Sequence, residues 1–224
     1  MIEILLVRHG QTEWNIQKKV MGDLPIPLNR VGRLQARDLS KKLKGISLTA
    51  CYTSPLKRAL ETAAIILKGR SVPLIKEPCV AEIDYGEWQG RSFREISHEP
   101  QFVTYFTRPS RSLPPKGESM RQVQRRTIAF IERLRRRHKE GRLLVVSHAD
   151  VIKAMIVNYL GLPLEELHRI RIDNGSMSLL WFDGKLERVL SINSHNHIET
   201  YFGQELSIPK KIRQKAFAVK RARH

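Results

Sequence analysis

Two short apolar runs, Ile2-Glu3-Ile4-Leu5-Leu6-Val7 and Leu143-Leu144-Val145-Val146, have the length and continuity of strands buried on both faces. Between them the apolar period changes. Val31, Leu34, Ala36, Leu39 and Leu43 recur at helical intervals over residues 29–44, and Gly45 follows as a C-cap. A strand is predicted over 50–53, then a helix opened by Ser54 as cap and Pro55 in the first turn and running to Gly69, then a strand over 72–75. Residues 81–90 mix charged, aromatic and glycine positions without a sustained period, which marks an ordered loop. Helices are expected over 92–106 and 119–139, separated by a connection containing Pro109, Pro114 and Pro115. A helix over about 150–159 follows the second apolar run, and strands over 176–182 and 186–192 flank the hairpin signal Asp183-Gly184. This alternation predicts an α/β fold of three layers, α/β/α, about a mostly parallel central sheet.

A chain of 224 residues with 41% hydrophobic content can bury one substantial core, and no linker-like stretch divides it. Residues 1–207 therefore read as a single domain with a helical cap inserted around 92–119, followed by a basic tail over 208–224. Charge adds more than size does. The net charge of +18 favours anionic partners, and seven of those positive charges fall in the tail, at Lys210, Lys211, Arg213, Lys215, Lys220, Arg221 and Arg223. Cys51 and Cys79 are the only cysteines and have no metal-binding spacing, as in a reduced intracellular protein with two buried free thiols. The first apolar run is too short to span a bilayer and ends on Arg8, so the expected setting is the cytoplasm, without a membrane partner.

Candidate chemistry lies where the apolar runs stop. Val7-Arg8-His9-Gly10 and Val146-Ser147-His148 each carry a strand straight into a histidine. Sites in open α/β sheets form beyond the carboxyl ends of the strands, so both histidines can face one crevice. Arg8 supplies a fixed cation, Gly10 permits close backbone approach, and Thr12 and Asn15 add hydroxyl and amide groups, all of them parts that bind phosphate.

The segment Arg8-His9-Gly10-Gln11-Thr12-Glu13-Trp14-Asn15 resembles the signature of the histidine phosphatase superfamily, the phosphoglycerate mutase-like family. The likeness continues through Pro27-Leu28-Asn29-Arg30-Val31-Gly32-Arg33-Leu34-Gln35-Ala36, Tyr52-Thr53-Ser54-Pro55-Leu56-Lys57-Arg58-Ala59-Leu60-Glu61-Thr62-Ala63, Glu82-Ile83-Asp84-Tyr85-Gly86-Glu87-Trp88-Gln89-Gly90 and Ser147-His148-Ala149, in the family's order. It implies a phosphoglycerate mutase-like fold in which His9 accepts the phosphoryl group, Arg8, Arg58 and His148 hold its oxygens, and Glu82 donates the proton. Glu87 and Glu95 are local competitors for that last role. Thr12, Asn15 and the Gly22 backbone are further candidates for phosphate or substrate contacts. Asn174 and Ser176, in the segment Asp173-Asn174-Gly175-Ser176, are candidates for choosing the substrate, as are the cap over 92–119 and the segment around His195-Asn196-His197. The last two histidines read as exposed polar residues of a closing strand.

Phosphoryl transfer is catalysed mainly by positioning and by neutralising the equatorial oxygens, which two guanidinium forks can do without a metal. No carboxylate cluster for magnesium and no glycine-rich loop ending in Lys-Ser or Lys-Thr stands in the sequence, so no metal and no cofactor is expected. Arg8 and Arg58 should keep the His9 imidazole neutral, and its other nitrogen needs an orienting acceptor, which the resemblance implies is a backbone carbonyl. The same cations should lower the pKa of Glu82, so that a bound phosphate dianion is needed to restore its proton. Glu82 and His148 are 66 positions apart, which resembles the shorter cap of the phosphatases and favours hydrolysis of a small phosphorylated metabolite. Trp14 and Trp88 read as loop-packing residues. The alternatives are a cofactor-dependent phosphoglycerate mutase and, in a different class, a basic nucleic-acid-binding protein on this fold, although no specific nucleic-acid motif supports the second. A homodimer is compatible with the sequence.

Overall fold

The computed structural model describes residues 1–183 and 186–195. In chain order the elements are β1 (Ile2–Arg8), α1 (Glu13–Ile16), α2 (Arg30–Lys42), β2 (Ala50–Thr53), α3 (Lys57–Leu67), β3 (Leu74–Lys76), α4 (Phe93–Ile96), α5 (Pro100–Thr107), α6 (Met120–Arg137), β4 (Gly141–Ser147), α7 (Ala149–Tyr159), β5 (Met177–Phe182) and β6 (Glu187–Ser194). The strands form one sheet in the order β3-β2-β4-β1-β5-β6. β3, β2, β4 and β1 run parallel, while β5 and β6 close one side antiparallel. The sheet is thus mixed rather than wholly parallel, as expected from a hairpin at its end.

Alternation along the two central strands makes two cores. Ile4, Leu6, Leu143 and Val145 point into a large core shared with α5, α6 and α7, whereas Leu5, Val7, Leu144 and Val146 meet α2 and α3 on the other face. All eight are buried, which is why these runs lack the polar alternation of a one-sided strand. Each such side chain contributes about 1.5–3 kcal/mol through burial, enough to fix the register on which the site depends.

Several elements depart from the expectations. The helix predicted over 92–106 is two helices, because Pro100 cannot donate to the preceding turn and instead starts α5. Ser92 and Glu95 open α4 with a reciprocal capping box. Ser54 does not cap α3, which starts three residues later with Leu56 as an N-cap lacking a side-chain bond. The third strand is Leu74–Lys76 rather than 72–75. Cys51 is buried, but Cys79 is half-buried. At the β5–β6 hairpin, Asp183 Oδ1 accepts from Leu186 N at 2.7 Å, while Gly184 lies outside the described residues. So do His197 and the basic tail. Among the described residues no helix is long and apolar enough to cross a membrane.

Candidate active site

The parallel register pairs Arg8 with Ser147, so the residue that follows each strand emerges beside the other. His9 N donates to Ser147 O at 3.0 Å, and the rings of His9 and His148 lie 5.1 Å apart between centroids. Both are buried. Gly10 then passes against α2, where a Cβ would sit 2.4 Å from the carbonyl oxygen of Gly32; only glycine allows that approach. Asn29 holds the same corner by accepting from Gly32 N at 2.8 Å.

The two rings are pinned through different nitrogens. His9 Nδ1 is 2.7 Å from the carbonyl oxygen of Gly10. A carbonyl only accepts, so Nδ1 carries the proton and Nε2 keeps its lone pair. The expected backbone acceptor is therefore the next residue in the chain. In His148 it is Nε2 that is held, 2.8 Å from Ser54 Oγ, while Nδ1 is buried without a hydrogen-bond partner. The Ser54 hydroxyl that sequence reasoning assigned to a helix cap is used here.

Two guanidinium groups complete the cradle. Arg8 Nη1 donates to Ile172 O at 2.7 Å. Arg58, buried on α3, donates from Nη1 to Leu24 O at 3.1 Å and from Nη2 to Gly22 O at 2.6 Å. The Nε atoms of both arginines are buried without a partner, an arrangement that costs energy unless an anion takes them up. Burial, then Arg58 and Arg8, hold the His9 pKa well below the ordinary imidazole range. Burial, then Arg58, His9 and Arg8, do the same to His148. Arg58 itself is lowered to about 10, chiefly by burial, and remains a cation at neutral pH.

Glu82 approaches from the loop over 81–90. Its Oε2 is 3.9 Å from His148 Nδ1 and its Oε1 accepts from Ile83 N at 3.1 Å. Its pKa is raised to about 7, first by burial and then by Asp150, with Arg58, the Ile83 N–H and Arg8 opposing. The expected lowering by the cations is outweighed: burial and a neighbouring carboxylate raise the Glu82 pKa without any bound phosphate. The competitors are engaged elsewhere. Glu87 pairs with Lys116 at 2.8 Å, and Glu95 accepts from Ser92 N at 2.6 Å. Arg126 on α6 fastens the loop, donating to the Cys79 and Glu82 carbonyls at 2.6 and 3.2 Å and gripping Glu118 through Nε and Nη2.

The expected substrate contacts divide in two. Thr12 Oγ1 is 3.1 Å from Asn15 Oδ1 and 3.2 Å from Met21 Sδ, and it caps α1. The Gly22 carbonyl holds Arg58, and Asn174 Nδ2 holds the His9 carbonyl at 3.1 Å. These bonds tie all three to the frame of the site. Asn15 and Ser176 retain capacity: the amide oxygen of Asn15 is used in the α1 cap, whereas Ser176 Oγ is buried without a partner. His195 is not an exposed strand residue; its Nε2 lies 3.2 Å from Asp173 Oδ2, and its side chain is 17% exposed. Trp88 is buried, donating to Glu99 at 2.8 Å and packing edge-on to Phe102. Sequence reasoning missed Asp150, Tyr105 and the ring-holding use of Ser54. Asp150 stood two residues after His148, the one signal available for it. Among the described residues no three His, Cys, Asp or Glu side chains gather as a metal-ligand group.

The chain is similar to known proteins over most of its length. Phosphoserine phosphatase 1 of Hydrogenobacter thermophilus is 31% identical over 204 residues, covering 90% of this chain and 97% of that protein. A relative named probable phosphoglycerate mutase GpmB, from Photorhabdus laumondii, is 34% identical over 182 residues, covering 80% and 84% respectively. The crystal structure of the α-ribazole phosphatase from Shigella flexneri superposes with a TM-score of 0.79 at 29% identity, covering 86% of this chain and 96% of that one. The family model described as histidine phosphatase superfamily (branch 1) matches residues 4–195, and the chain belongs to that superfamily.

Proposed function

We propose that this protein is a phosphomonoester hydrolase that passes the phosphoryl group of a small metabolite through His9. The carrying observation is the His9 ring, whose Nδ1 is committed to the Gly10 carbonyl while Nε2 stays unprotonated, its lone pair free, beside the guanidinium groups of Arg8 and Arg58. In the first step Nε2 forms a bond to phosphorus as the P–O bond to the alcohol breaks, and Glu82 gives its proton to the departing oxygen. In the second, the Glu82 carboxylate takes a proton from water, which attacks phosphorus; the N–P bond breaks and phosphate leaves. The Nε groups of Arg8 and Arg58 and the Nδ1–H of His148 donate to the equatorial oxygens. A phosphate dianion offers only acceptors, so Nδ1 of His148 must carry the proton, and Ser54 O–H then donates to its Nε2. Asn15 and Ser176 are further substrate contacts in this reading.

Hydrolysis rather than mutase chemistry is favoured by the short cap, whose two helices span four and eight residues, and by relatives that include a phosphoserine phosphatase and an α-ribazole phosphatase. Phosphoserine and α-ribazole phosphate are accordingly the first substrates to assay, with 3-phosphoglycerate as the mutase control. Rapid quench with ³²P-labelled substrate, followed by peptide mapping, should place acid-labile label on His9, and His9→Ala should lose label and turnover together. Label on another residue, or isomerisation of 3-phosphoglycerate without phosphate release, would overturn the proposal.

A further inference from the structure

Asp150 takes no part in the steps above, yet three donors from three segments converge on it. It accepts from Tyr85 of the acid loop at 2.5 Å, from Tyr105 of the cap helix α5, and from Lys153 one turn along α7 at 3.0 Å. The two tyrosine oxygens are 3.1 Å apart, with the rings edge to face at 5.9 Å. His168 secures the cap side, hydrogen-bonding through Nε2 to the Tyr105 carbonyl at 2.9 Å and packing against the Tyr105 and Phe106 rings. One carboxylate thereby joins the histidine-bearing end of β4, the loop that carries Glu82 and the cap. A buried anion with this many donors stays ionised: burial alone would raise the Asp150 pKa, but Lys153, His168 and the two hydroxyls hold it below the usual carboxylate range.

We propose that Asp150, fixed by Tyr85 and Tyr105, is a positioning residue that keeps the proton on Glu82 and ties that acid to the seating of the cap. The proposal rests on the reading of Glu82 as proton donor. The groups facing Glu82 are Arg8 from β1, Arg58 from α3, His148 and Asp150 from the β4–α7 junction, Tyr85 from its own loop, Tyr105 from α5 and Arg126 from α6; Lys153 and His168 act on it through Asp150. His148 is neutral, the tyrosines are raised well above their ordinary range by burial and by Asp150, and Arg8, Arg58 and Arg126 are cations. Asp150 is therefore the fixed negative charge that offsets the guanidinium groups where Glu82 must remain protonated.

The test is the alkaline limb of kcat/KM, compared across variants on one substrate so that the substrate's own ionisation cancels. Asp150→Asn should move the limb to lower pH by about one unit, a tenfold loss at pH 8 with little change at pH 5.5. Lys153→Met leaves Asp150 in place without its cation and should move the limb the other way. Tyr105→Phe keeps the charge but releases the cap; it should lower kcat with the limb unmoved. Should Asp150→Asn not fold, as judged by thermal unfolding, the opposite shift in Lys153→Met still decides. Limbs unmoved in both charge variants overturn the proposal. Glu82→Gln separates the two readings: if it abolishes the limb while the charge variants leave it in place, only the role of Asp150 fails, whereas full turnover with the limb retained means that Glu82 is not the acid.

Discussion

The strand ends that carry His9 and His148 and the loop that carries Glu82 meet at one site but are held by different means. The first region is fixed by the sheet. Backbone bonds link His9 to Ser147, Arg8 N to Ser176 O and Gly175 N to Arg8 O, and the packed cores on both faces enforce the register. The second region has no strand beneath it. It hangs from Arg126, from Ser147 Oγ, which donates to Val80 O at 2.8 Å, and from a strap in which Glu118 N reaches Asp84 O at 2.7 Å and Glu87 N reaches Pro115 O at 3.0 Å. The difference teaches a division of labour in the proposed mechanism: the groups proposed to bind phosphate are held by the sheet and by the helix α3 packed on it, and the proposed proton donor sits among side chains, where single charges shift it. Damage in the first region should cost turnover at every pH, whereas damage in the second should move a pH limb or loosen the loop.

The largest expected effect belongs to Arg58. Replacement by lysine removes the fork that meets the Gly22 and Leu24 carbonyls and the buried Nε–H, which has no partner within the protein. An ammonium cannot restore three directed bonds. Arg58→Lys should lower kcat/KM by about 10²–10³ at all pH values, the loss typical of a donor to developing phosphoryl or oxyanion charge. A loss confined to high pH would show that Arg58 acts on Glu82 rather than on phosphate, and the contrast between the regions would fail.

The same division explains what could be read in advance. The strand ends were legible because burial on both faces leaves an uninterrupted apolar run, and the residue after such a run has few places to go. Glu82 was legible only through the resemblance, since nothing in the spacing of 81–90 separates it from Glu87. Its raised pKa was not legible at all, because it depends on burial and on Asp150, sixty-eight positions away. Ser54 misled for a related reason. Ser-Pro before a helical pattern has the form of a cap, but the hydroxyl's stronger claim is a buried imidazole that sequence order does not place beside it. Pro100 was a local signal overlooked, since a proline within a helical pattern starts a new helix more readily than it continues one.

Ser54 gives a smaller, sharper test within the strand-end region. Ser54→Ala should leave Nε2 of the buried His148 without a partner, release the tautomer and lower kcat about 10-fold or somewhat more, as loss of an orienting hydrogen bond to a functional imidazole commonly does. Stability should fall by about 1 kcal/mol. Ser54→Thr retains the hydroxyl and should recover most of the activity. Rate constants on a single phosphomonoester, with Tm measured in parallel, would show whether the hydroxyl orients the ring; equal losses in both variants would reduce Ser54 to packing.

The smallest effect on turnover should come from the strap. Gly86 has φ +52°, and an added Cβ would lie 2.0 Å from the Pro115 carbonyl oxygen, so Gly86→Ala must both adopt a left-handed backbone and push the strap away. Gly161 has φ +65° with nothing within 4 Å of an added Cβ, so Gly161→Ala carries the backbone cost alone, about 1 kcal/mol. Gly86→Ala should cost more than that, about 2–3 kcal/mol in all, and the difference in Tm between the two variants isolates the strap contact. If the loop is held by its strap and not by the sheet, the folded Gly86→Ala protein should show a raised KM while label still forms on His9, because the nucleophile's frame is untouched. A variant that lost phosphohistidine formation while remaining folded would mean that the two regions are mechanically one.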